Sequence, residues 1–390
     1  MKKAALLLAS SLTVMSGALV APALPAIAGH FAEVPRVDFL TKLILTLPAL
    51  GIVVGAPAAG WWLDRNPRRP VLLAALIGYA AVGSLGFVLP DLYALLASRL
   101  ALGLTVAVIL PTSVTLVGEY FDGAERTRFL GTQSAFMALG GTVFVAISGG
   151  LASLGWRYVF LVYASALLVA ALAWRALPEP TRPGGEATPA GEPAGSRPPL
   201  SGWVWFTYAC VLLGMVAFYL IPVQNAFVLA AVGVEAEWLL GAGLIVGTLA
   251  AAGLSASYGW LRARFTATAL FAVAFAGMGV GFAVIGLLPS LAGALAGSVV
   301  AGAGAGVLMP NGNACLIEIA PPARRGTVLG GLTTVVFAGQ FLSPIALQPV
   351  IDATGGLLAG HLAFGLGCLG VAAAITAVAV ATRGVTARAA

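Results

Sequence analysis

Four charged side chains lie within six positions of a sequence in which charged residues make up only 9% of the total. They are Asp64, Arg65, Arg68 and Arg69, and they directly follow a long apolar run. An acid near the beginning of a helix is stabilised by the helix dipole, and opposite charges at this density can form ion pairs. Glu119 is a further partner, because it can pair with Arg65, Arg68 or Arg126. We therefore predict an ion-pair cluster in this region.

A single basic residue, Arg99, lies inside the apolar run from 93 to 120. If that run crosses a membrane, the charge should face the protein interior and have a partner. Arg99 either pairs with a loop acid such as Asp38 and modulates its proton exchange, or attracts an anionic solute together with Lys42. The alternative is that its side chain extends to the membrane surface.

Two prolines interrupt apolar runs at comparable places, in LPTS (110–113) and MPNGN (309–313). A proline frees a backbone carbonyl, which in apolar surroundings needs a partner or a wet cavity. Thr112 and Asn311 directly follow these prolines, so we predict that they line a solute pocket. Further predicted pocket residues are Gln133, Phe136, Tyr208, Tyr219 and Gln340. The alternative for each residue is packing or hydrogen bonding between helices.

The sequence has no motif typical of an enzyme or of a nucleotide site. It lacks the patterns G-x-x-x-x-G-K-[ST], H-E-x-x-H and G-x-S-x-G. The cysteines, Cys210, Cys315 and Cys368, lie in apolar runs without metal-binding spacing, and His30 and His361 are far apart. We therefore expect no enzymatic activity, no cofactor and no metal site. Energy should come from an ion gradient or from the gradient of the solute itself.

Hydropathy predicts the elements that carry these residues. The mean hydropathy is +1.01, and apolar runs of about 20 residues, the length that crosses a bilayer, recur along the chain. The predicted spans are 5–28, 39–62, 70–89, 93–120, 128–152, 157–176, 203–230, 238–260, 266–288, 292–319, 327–350 and 359–382. The predicted fold class is therefore an all-α polytopic membrane protein with about twelve transmembrane helices.

With an even number of spans, both termini lie on one side of the membrane. If that side is the cytoplasm, the loops and termini that face it hold most of the 20 basic residues, as the positive-inside rule requires. The exceptions are Arg36, Lys42, Arg99 and Arg157. This distribution accounts for the net charge of +6 without a nucleic-acid partner.

The N-terminal stretch 1–29 also resembles a signal peptide, with a basic start and an A-x-A site at Ala26–Ala28. Its apolar stretch is long for a signal and suits a span. We therefore expect an uncleaved first span and an intact mass that begins at Met1.

Residues 178–200 are rich in proline and small residues, which predicts a flexible cytoplasmic linker between residues 1–177 and 201–390. The two halves match at a constant offset of 199 residues, which predicts two pseudo-symmetric six-helix bundles. The matched pairs include Gly103 with Gly302, Pro111 with Pro310, Glu119 with Glu318, and Arg126 with Arg325. Ala263 stands where Asp64 would be.

Over its whole length the sequence resembles the major facilitator superfamily. Residues 60–69 are similar to the signature loop G-x-x-x-D-R-x-G-R-R of that family, with Pro67 in place of the second glycine. The family pattern E-x6-R occurs at Glu119 and again at Glu318. The stretch RLALG (99–103) resembles the motif with a membrane-embedded arginine, and WRYVF (156–160) resembles the W-R-x-x-F start of the sixth helix.

The resemblance implies alternating access with a solute site near mid-membrane between the two halves. It also implies that Asp64 contacts the beginning of a helix in the other half, so that the charged cluster acts as a latch on the cytoplasmic side. Arginines that only set topology would not require Asp64 or Glu119, because acids contribute little to the positive-inside rule. The full predicted latch is Asp64, Arg65, Arg68, Arg69, Glu119, Arg126, Glu318 and Arg325.

The local sequence resembles the drug:proton antiporter and arabinose-efflux branch. We therefore expect a monomeric secondary transporter of the bacterial inner membrane that exports a small organic solute in exchange for protons or another coupling ion. The fifth span reads VAISGG (145–150), where antiporters of the family carry G-P-x-x-G-G. This departure leaves uptake or exchange of an organic anion as an alternative. A membrane sensor or scaffold without transport activity is a second alternative, of a different class.

Overall fold

The computed structural model describes residues 1–121, 123–179, 201–236, 239–320 and 325–388, and this part of the chain is almost entirely helical. The α-helices are α1 (Lys2–Ala18), α2 (Leu24–His30), α3 (Val37–Arg65), α4 (Arg68–Ser84), α5 (Leu92–Tyr120), α6 (Gly123–Ala152), α7 (Ser165–Ala176), α8 (Gly202–Phe218), α9 (Leu220–Ala231), α10 (Ala242–Ala256), α11 (Tyr258–Arg264), α12 (Ala267–Leu287), α13 (Leu291–Ile319), α14 (Arg325–Thr354) and α15 (Leu357–Arg388). Short 3-10 helices cover Ala21–Ala23, Leu85–Phe87 and Trp156–Ala164.

The described residues contain 10 helical segments that are long and apolar enough to cross a membrane. The number rises to 11 if α10 and α11, which are bent by 54°, form one span. The remaining predicted span, 128–152, falls within α6, where Val143–Ala152 is a shorter apolar helix. The predicted all-α polytopic fold class is confirmed.

Two predicted spans, 5–28 and 203–230, are each broken into two α-helices. In both cases the first helix ends four residues before a proline: α1 ends at Ala18 before Pro22, and α8 ends at Phe218 before Pro222. Proline has no N–H to donate to the carbonyl four residues earlier, which is that of Ala18 or Phe218, and this weakens the helix at both places. Pro111 and Pro310, in contrast, lie inside the continuous helices α5 and α13, so the helix breaks predicted there are not found. Two other predicted spans also differ, since 157–176 begins as a 3-10 helix and 238–260 bends at Ser257.

The chain divides into two compact units. Unit 1 comprises Met1–Gly191 with Ala236–Gly241, and unit 2 comprises Glu192–Glu235 with Ala242–Ala390. From residue 180 onward, the predicted linker lies outside the described residues. The predicted domain limits of 1–177 and 201–390 therefore stay a prediction.

Equivalent positions make equivalent helix contacts inside each unit. Helices α5 and α13 begin and end 199 residues apart, and α4 and α12 begin 199 residues apart. In unit 1, a methyl group on Gly103 would overlap the carbonyl oxygen of Pro48 on α3. In unit 2, a methyl group on Gly302 would overlap the carbonyl oxygen of Gly247 on α10. Small residues allow membrane helices to approach this closely, and the matched contacts support the internal repeat.

Helix caps follow the same repeat. The Asp91 carboxylate accepts a hydrogen bond from the Ala94 amide at the beginning of α5, at 2.8 Å. The Ser290 hydroxyl accepts one from the Gly293 amide at the beginning of α13, at 3.1 Å. Each cap satisfies an amide that has no partner within its own helix.

We expect Gly302→Ala to lower the melting temperature of the purified protein markedly, because the new methyl group forces α13 away from α10. Overpacking of this kind costs about 1–3 kcal/mol. The matched control is Gly253→Ala, since nothing lies within 4 Å of a methyl group at Gly253. That control should keep or raise the melting temperature, because alanine is the better helix former. Equal melting temperatures of the two variants would contradict the close contact.

Candidate functional site

An ion pair joins two residues of the predicted latch in unit 1. The Nε atom of Arg68 lies 3.6 Å from a carboxylate oxygen of Glu119, and both side chains are partly buried. Arg68 is one of the three partners predicted for Glu119. Arg65 is exposed and stacks over Trp61, with 4.4 Å between the guanidinium carbon and the ring centroid. The side chains of Asp64 and Arg126 lie outside the described part of the structure.

The beginning of α4 is capped by an acid that the sequence reasoning missed. The two carboxylate oxygens of Glu179 accept hydrogen bonds from the backbone amides of Arg68 and Arg69, at 2.8 and 3.0 Å. Pro67 occupies the cap position and has no side-chain acceptor. In unit 2 the equivalent residue, Thr266, caps α12 with its own hydroxyl. Where the signature loop has a proline, which offers no side-chain acceptor, the capping carboxylate comes instead from Glu179, beyond the end of α7.

Two further contacts attach the end of α7 to the same place. Arg69 donates a hydrogen bond to the Trp174 carbonyl and stacks over the Trp174 ring, 4.7 Å from its centroid. The Tyr120 hydroxyl donates to the carbonyl of Pro178. The charged loop therefore binds the chain at the point where the predicted linker begins. In the sequence, Glu179 is recognisable only as an acid that closely follows the sixth predicted span.

In unit 2 an ion pair involves a basic residue, Arg262, that the predicted latch did not include. Glu318 pairs with Arg262, at 3.0 Å between Nη2 and a carboxylate oxygen. The repeat aligned Arg264 with Arg65, and Arg264 stacks over Trp260 at 3.8 Å, as Arg65 does over Trp61. Arg262 has no basic counterpart in unit 1, so the repeat could not reveal it. The side chain of Arg325 lies outside the described part of the structure.

Arg99, on α5, is fully buried in unit 1, and its guanidinium group lies against the end of α4. Its Nη2 atom donates hydrogen bonds to the carbonyl oxygens of Gly83, at 2.8 Å, and Val82, at 3.3 Å. These carbonyls belong to the last turn of the helix, where acceptors lack helical partners and the dipole favours a cation. The Nε atom donates to the hydroxyl of Ser98 at 3.2 Å. Because the guanidinium is enclosed by protein, it does not extend to the membrane surface.

Two aromatic rings complete the surroundings of Arg99. The guanidinium carbon lies 4.9 Å from the ring centroid of Phe160 and 5.1 Å from that of Tyr163. A methyl group on Gly83 would lie 2.6 Å from Tyr163, so glycine leaves room for the ring. The structure thus joins the RLALG stretch to the WRYVF stretch. The sequence predicted both motifs but not their contact.

The other predicted coupling residues lie on α3. Asp38 is exposed in the first turn of this helix, and Lys42 is buried one turn later. Among the described side chains, no carboxylate forms an ion pair with Arg99. The coupling and anion-binding roles of these three residues stay predictions.

Three of the predicted pocket residues, Thr112, Gln133 and Tyr208, form described hydrogen bonds to helices of their own unit. The Thr112 hydroxyl donates to the Val108 carbonyl at 2.6 Å, and the Gln133 amide donates to the Ser10 hydroxyl on α1. The Tyr208 hydroxyl donates to a carbonyl of α14 at 2.6 Å. Tyr219 lies at the junction of α8 and α9, and Phe136 and Gln340 are half-buried.

Asn311 is fully buried, and both ends of its amide are hydrogen-bonded inside unit 2. Its oxygen accepts from the Tyr258 hydroxyl at 3.3 Å, and its nitrogen donates to the Ala267 carbonyl at 2.9 Å. Asn311 therefore connects α13 to the beginnings of α11 and α12. Whether it or the other pocket residues bind a solute stays a prediction.

Two polar residues on α9 were not predicted, Gln224 and Asn225. The side chains are 1% and 5% exposed. Asn225 donates to the Ser298 hydroxyl at 2.7 Å, and Ser298 is the residue that the repeat matches with Arg99. The signal was available, because adjacent amides inside a membrane span are rare and often functional.

Comparisons with known proteins agree with this architecture. The profile of the Major Facilitator Superfamily matches residues 6–344. The chain is 26% identical over 363 residues to the 3-(3-hydroxy-phenyl)propionate transporter of Escherichia coli K12, covering 89% of this chain and 84% of that protein. It is 28% identical over 158 residues to the multidrug transporter protein MdtP of Bacillus subtilis, covering 40% of this chain and 28% of MdtP.

A likeness of fold extends over the whole chain. The crystal structure of a bacterial homolog of the human lysosomal transporter Spinster, inward-facing and occupied, matches with a TM-score of 0.75 at 20% identity, covering 97% of this chain and 96% of that one. The chain spans about a third or less of the length of the first curated relatives it matches. The profile match nevertheless covers most of the sequence. The chain belongs to the Major Facilitator Superfamily of membrane transporters.

Proposed function

We propose that this transporter exports a small organic solute across the bacterial cytoplasmic membrane by alternating access, in exchange for protons, with both termini in the cytoplasm. The supporting observation is the family match over residues 6–344 together with the repeated contacts inside the two units. Export is favoured because several relatives are named multidrug or tetracycline resistance proteins. The proposed partners are the solute, a coupling ion and the lipid bilayer. The transporter is proposed to work as a monomer.

A second candidate function is the transport of an organic anion as uptake or exchange. The observation that favours it is the long alignment with the 3-(3-hydroxy-phenyl)propionate transporter, which covers 84% of that protein. Other relatives are named for niacin and gallate. Buried Arg99 and Lys42 would provide positive charge for an aromatic carboxylate.

The charged loop between α3 and α4 is proposed to act as a latch. The ion pair of Arg68 with Glu119 and the cap formed by Glu179 give this loop a defined geometry. Asp64 would then contact a partner in only one of the two transport states. A contact that exists in one state changes the balance between the states and so changes the transport rate. The same latch is proposed to include Arg65, Arg69, Arg126, Glu318 and Arg325.

Flux in proteoliposomes tests the proposed function. Tetracycline, nicotinate and 3-(3-hydroxyphenyl)propionate are offered with the lumen acidic, alkaline or at the outside pH. Proton antiport requires accumulation of a solute when the lumen is acidic, whereas proton symport requires accumulation when the lumen is alkaline. We expect the acidic lumen to drive accumulation of at least one solute above that in protein-free liposomes. Accumulation driven only by the alkaline lumen would favour the second candidate function.

We expect Asp64→Asn to leave the melting temperature unchanged and to slow transport at least tenfold, because it removes a charge from a contact made in one state. Glu179→Gln is the matched comparison, since it removes a charge from the cap of α4. A charge at this place contributes about 0.3–1 kcal/mol. That variant should lower the melting temperature slightly and retain transport. Wild-type rates in Asp64→Asn would exclude the latch role of this residue.

We expect Arg99→Ala to abolish pH-driven transport, and Arg99→Lys to restore little of it. A lysine lacks the planar group that stacks between Phe160 and Tyr163 while donating to two carbonyls. Melting temperature and solute exchange without a pH gradient separate the possible roles. A coupling role requires that exchange and stability persist in Arg99→Ala. If exchange, stability and pH-driven transport all fall together, the role of Arg99 is structural.

A further inference from the structure

The amide of Gln224 is the most isolated polar group on α9. The side chain is 1% exposed, and neither its oxygen nor its nitrogen has a hydrogen-bond partner in the described structure. Asn311 in the same unit presents the opposite case, with a partner at each end of its amide. A buried amide without partners is strongly unfavourable, and no water is available in the hydrocarbon core of a bilayer. Both ends of the Gln224 amide thus keep their hydrogen-bonding capacity within the described structure.

The neighbouring amide, that of Asn225, lies on the face of α9 that contacts α13. Ser298 has a single hydroxyl proton, which it donates to the Ala294 carbonyl at 2.7 Å. Its oxygen can therefore only accept, and the group of Asn225 that lies 2.7 Å away is the amide nitrogen. Asn225 is thereby fixed against α13. Successive residues of an α-helix point about 100° apart, so Gln224 faces a different direction.

A second unpartnered group lies on a helix that contacts α9. The hydroxyl of Ser343 on α14 is fully buried and has no hydrogen-bond partner in the described structure. The junction at Tyr219, where α8 ends and α9 begins, adds an interruption of regular helix five residues before Gln224. Interrupted helices in transporters are the places where polar solutes bind. Unit 2 thus combines an isolated amide, an isolated hydroxyl and a helix break.

The chemistry of the amide defines what can bind it. A carboxamide offers one acceptor oxygen and an NH2 donor. A hydroxyl or another carboxamide satisfies both, because each can donate and accept. A bare carboxylate only accepts, and it would leave the oxygen of Gln224 without a partner. The amide therefore selects for a solute with a hydroxyl or carboxamide group.

We propose that Gln224 is a solute-binding residue of unit 2 that selects for solutes bearing a hydroxyl or carboxamide group. This inference rests on the proposed transport function, because it assigns a residue and a chemical class to the solute site. Asn225 acts as a positioning residue that holds α9 against α13. Neither residue belongs to the latch.

Equilibrium binding to the purified full-length protein tests the inference with two matched pairs of probes. The first pair is 3-(3-hydroxyphenyl)propionate and 3-phenylpropionate, and the second is nicotinamide and nicotinate. We expect wild-type protein to bind the hydroxyl or carboxamide member of at least one pair about tenfold more tightly, because two neutral hydrogen bonds distinguish it. In Gln224→Leu the two members should bind within about twofold of each other. Gln224→Asn should retain part of the preference.

The melting temperature separates a binding role from a structural one. Gln224→Leu should keep or raise it, because leucine replaces an amide that has no partner in the protein. Asn311→Leu should lower it, because Tyr258 and Ala267 lose their partners. A preference retained in Gln224→Leu, a fall of its melting temperature, or no binding of either pair by wild-type protein would overturn the inference. Binding without flux in proteoliposomes would contradict the proposed transport function and leave the role of Gln224 intact.

Discussion

A polar group inside a membrane must find its hydrogen-bond partner within the protein, because the hydrocarbon core offers none. This constraint explains the placement of Arg99 and Asn311. Arg99 donates to carbonyls at the end of α4, where the helix itself leaves acceptors unused. Asn311 satisfies both ends of its amide between α11 and α12. Gln224 differs from Asn311 in that neither end of its amide has a partner in the described structure.

The same constraint explains why the helices can pack so closely. Because most backbone groups are satisfied inside their own helix, contact between helices depends on shape, and glycine allows backbones to meet. Gly103 and Gly302 occupy equivalent positions and meet the backbone of the neighbouring helix in their own units. The repeat is therefore a repeat of contacts as well as of residues. Where the units differ, the difference concerns charge: Arg99 in unit 1 corresponds to Ser298 in unit 2, and Pro67 with Glu179 corresponds to Thr266.

Much of the fold follows from local chemistry and could be predicted. Helices α5 and α13 begin 199 residues apart because each follows an equivalent capping residue, Asp91 or Ser290. The helices that end at Ala18 and Phe218 each end four residues before a proline, but α5 and α13 continue through Pro111 and Pro310, so a proline alone does not predict a helix end. The partners of buried side chains could not be predicted, because they come from segments far apart in sequence. Glu179 reaches Arg68 across 111 residues, and Arg99 packs on Phe160 across 61.

The site was harder to predict than the fold for a related physical reason. Sequence identifies polar residues inside spans, but it cannot say which of them the protein satisfies. Thr112 and Asn311 follow conspicuous prolines, yet their hydrogen bonds lie within their own units. Gln224 follows a proline as well, and neither end of its side-chain amide has a hydrogen-bond partner in the described structure. Pro111 and Pro310 lie inside the continuous helices α5 and α13, so the breaks predicted at these prolines are not found. A proline alone therefore does not locate a helix break, and the hydrogen bonds around it are needed to distinguish a structural polar residue from one available to a solute.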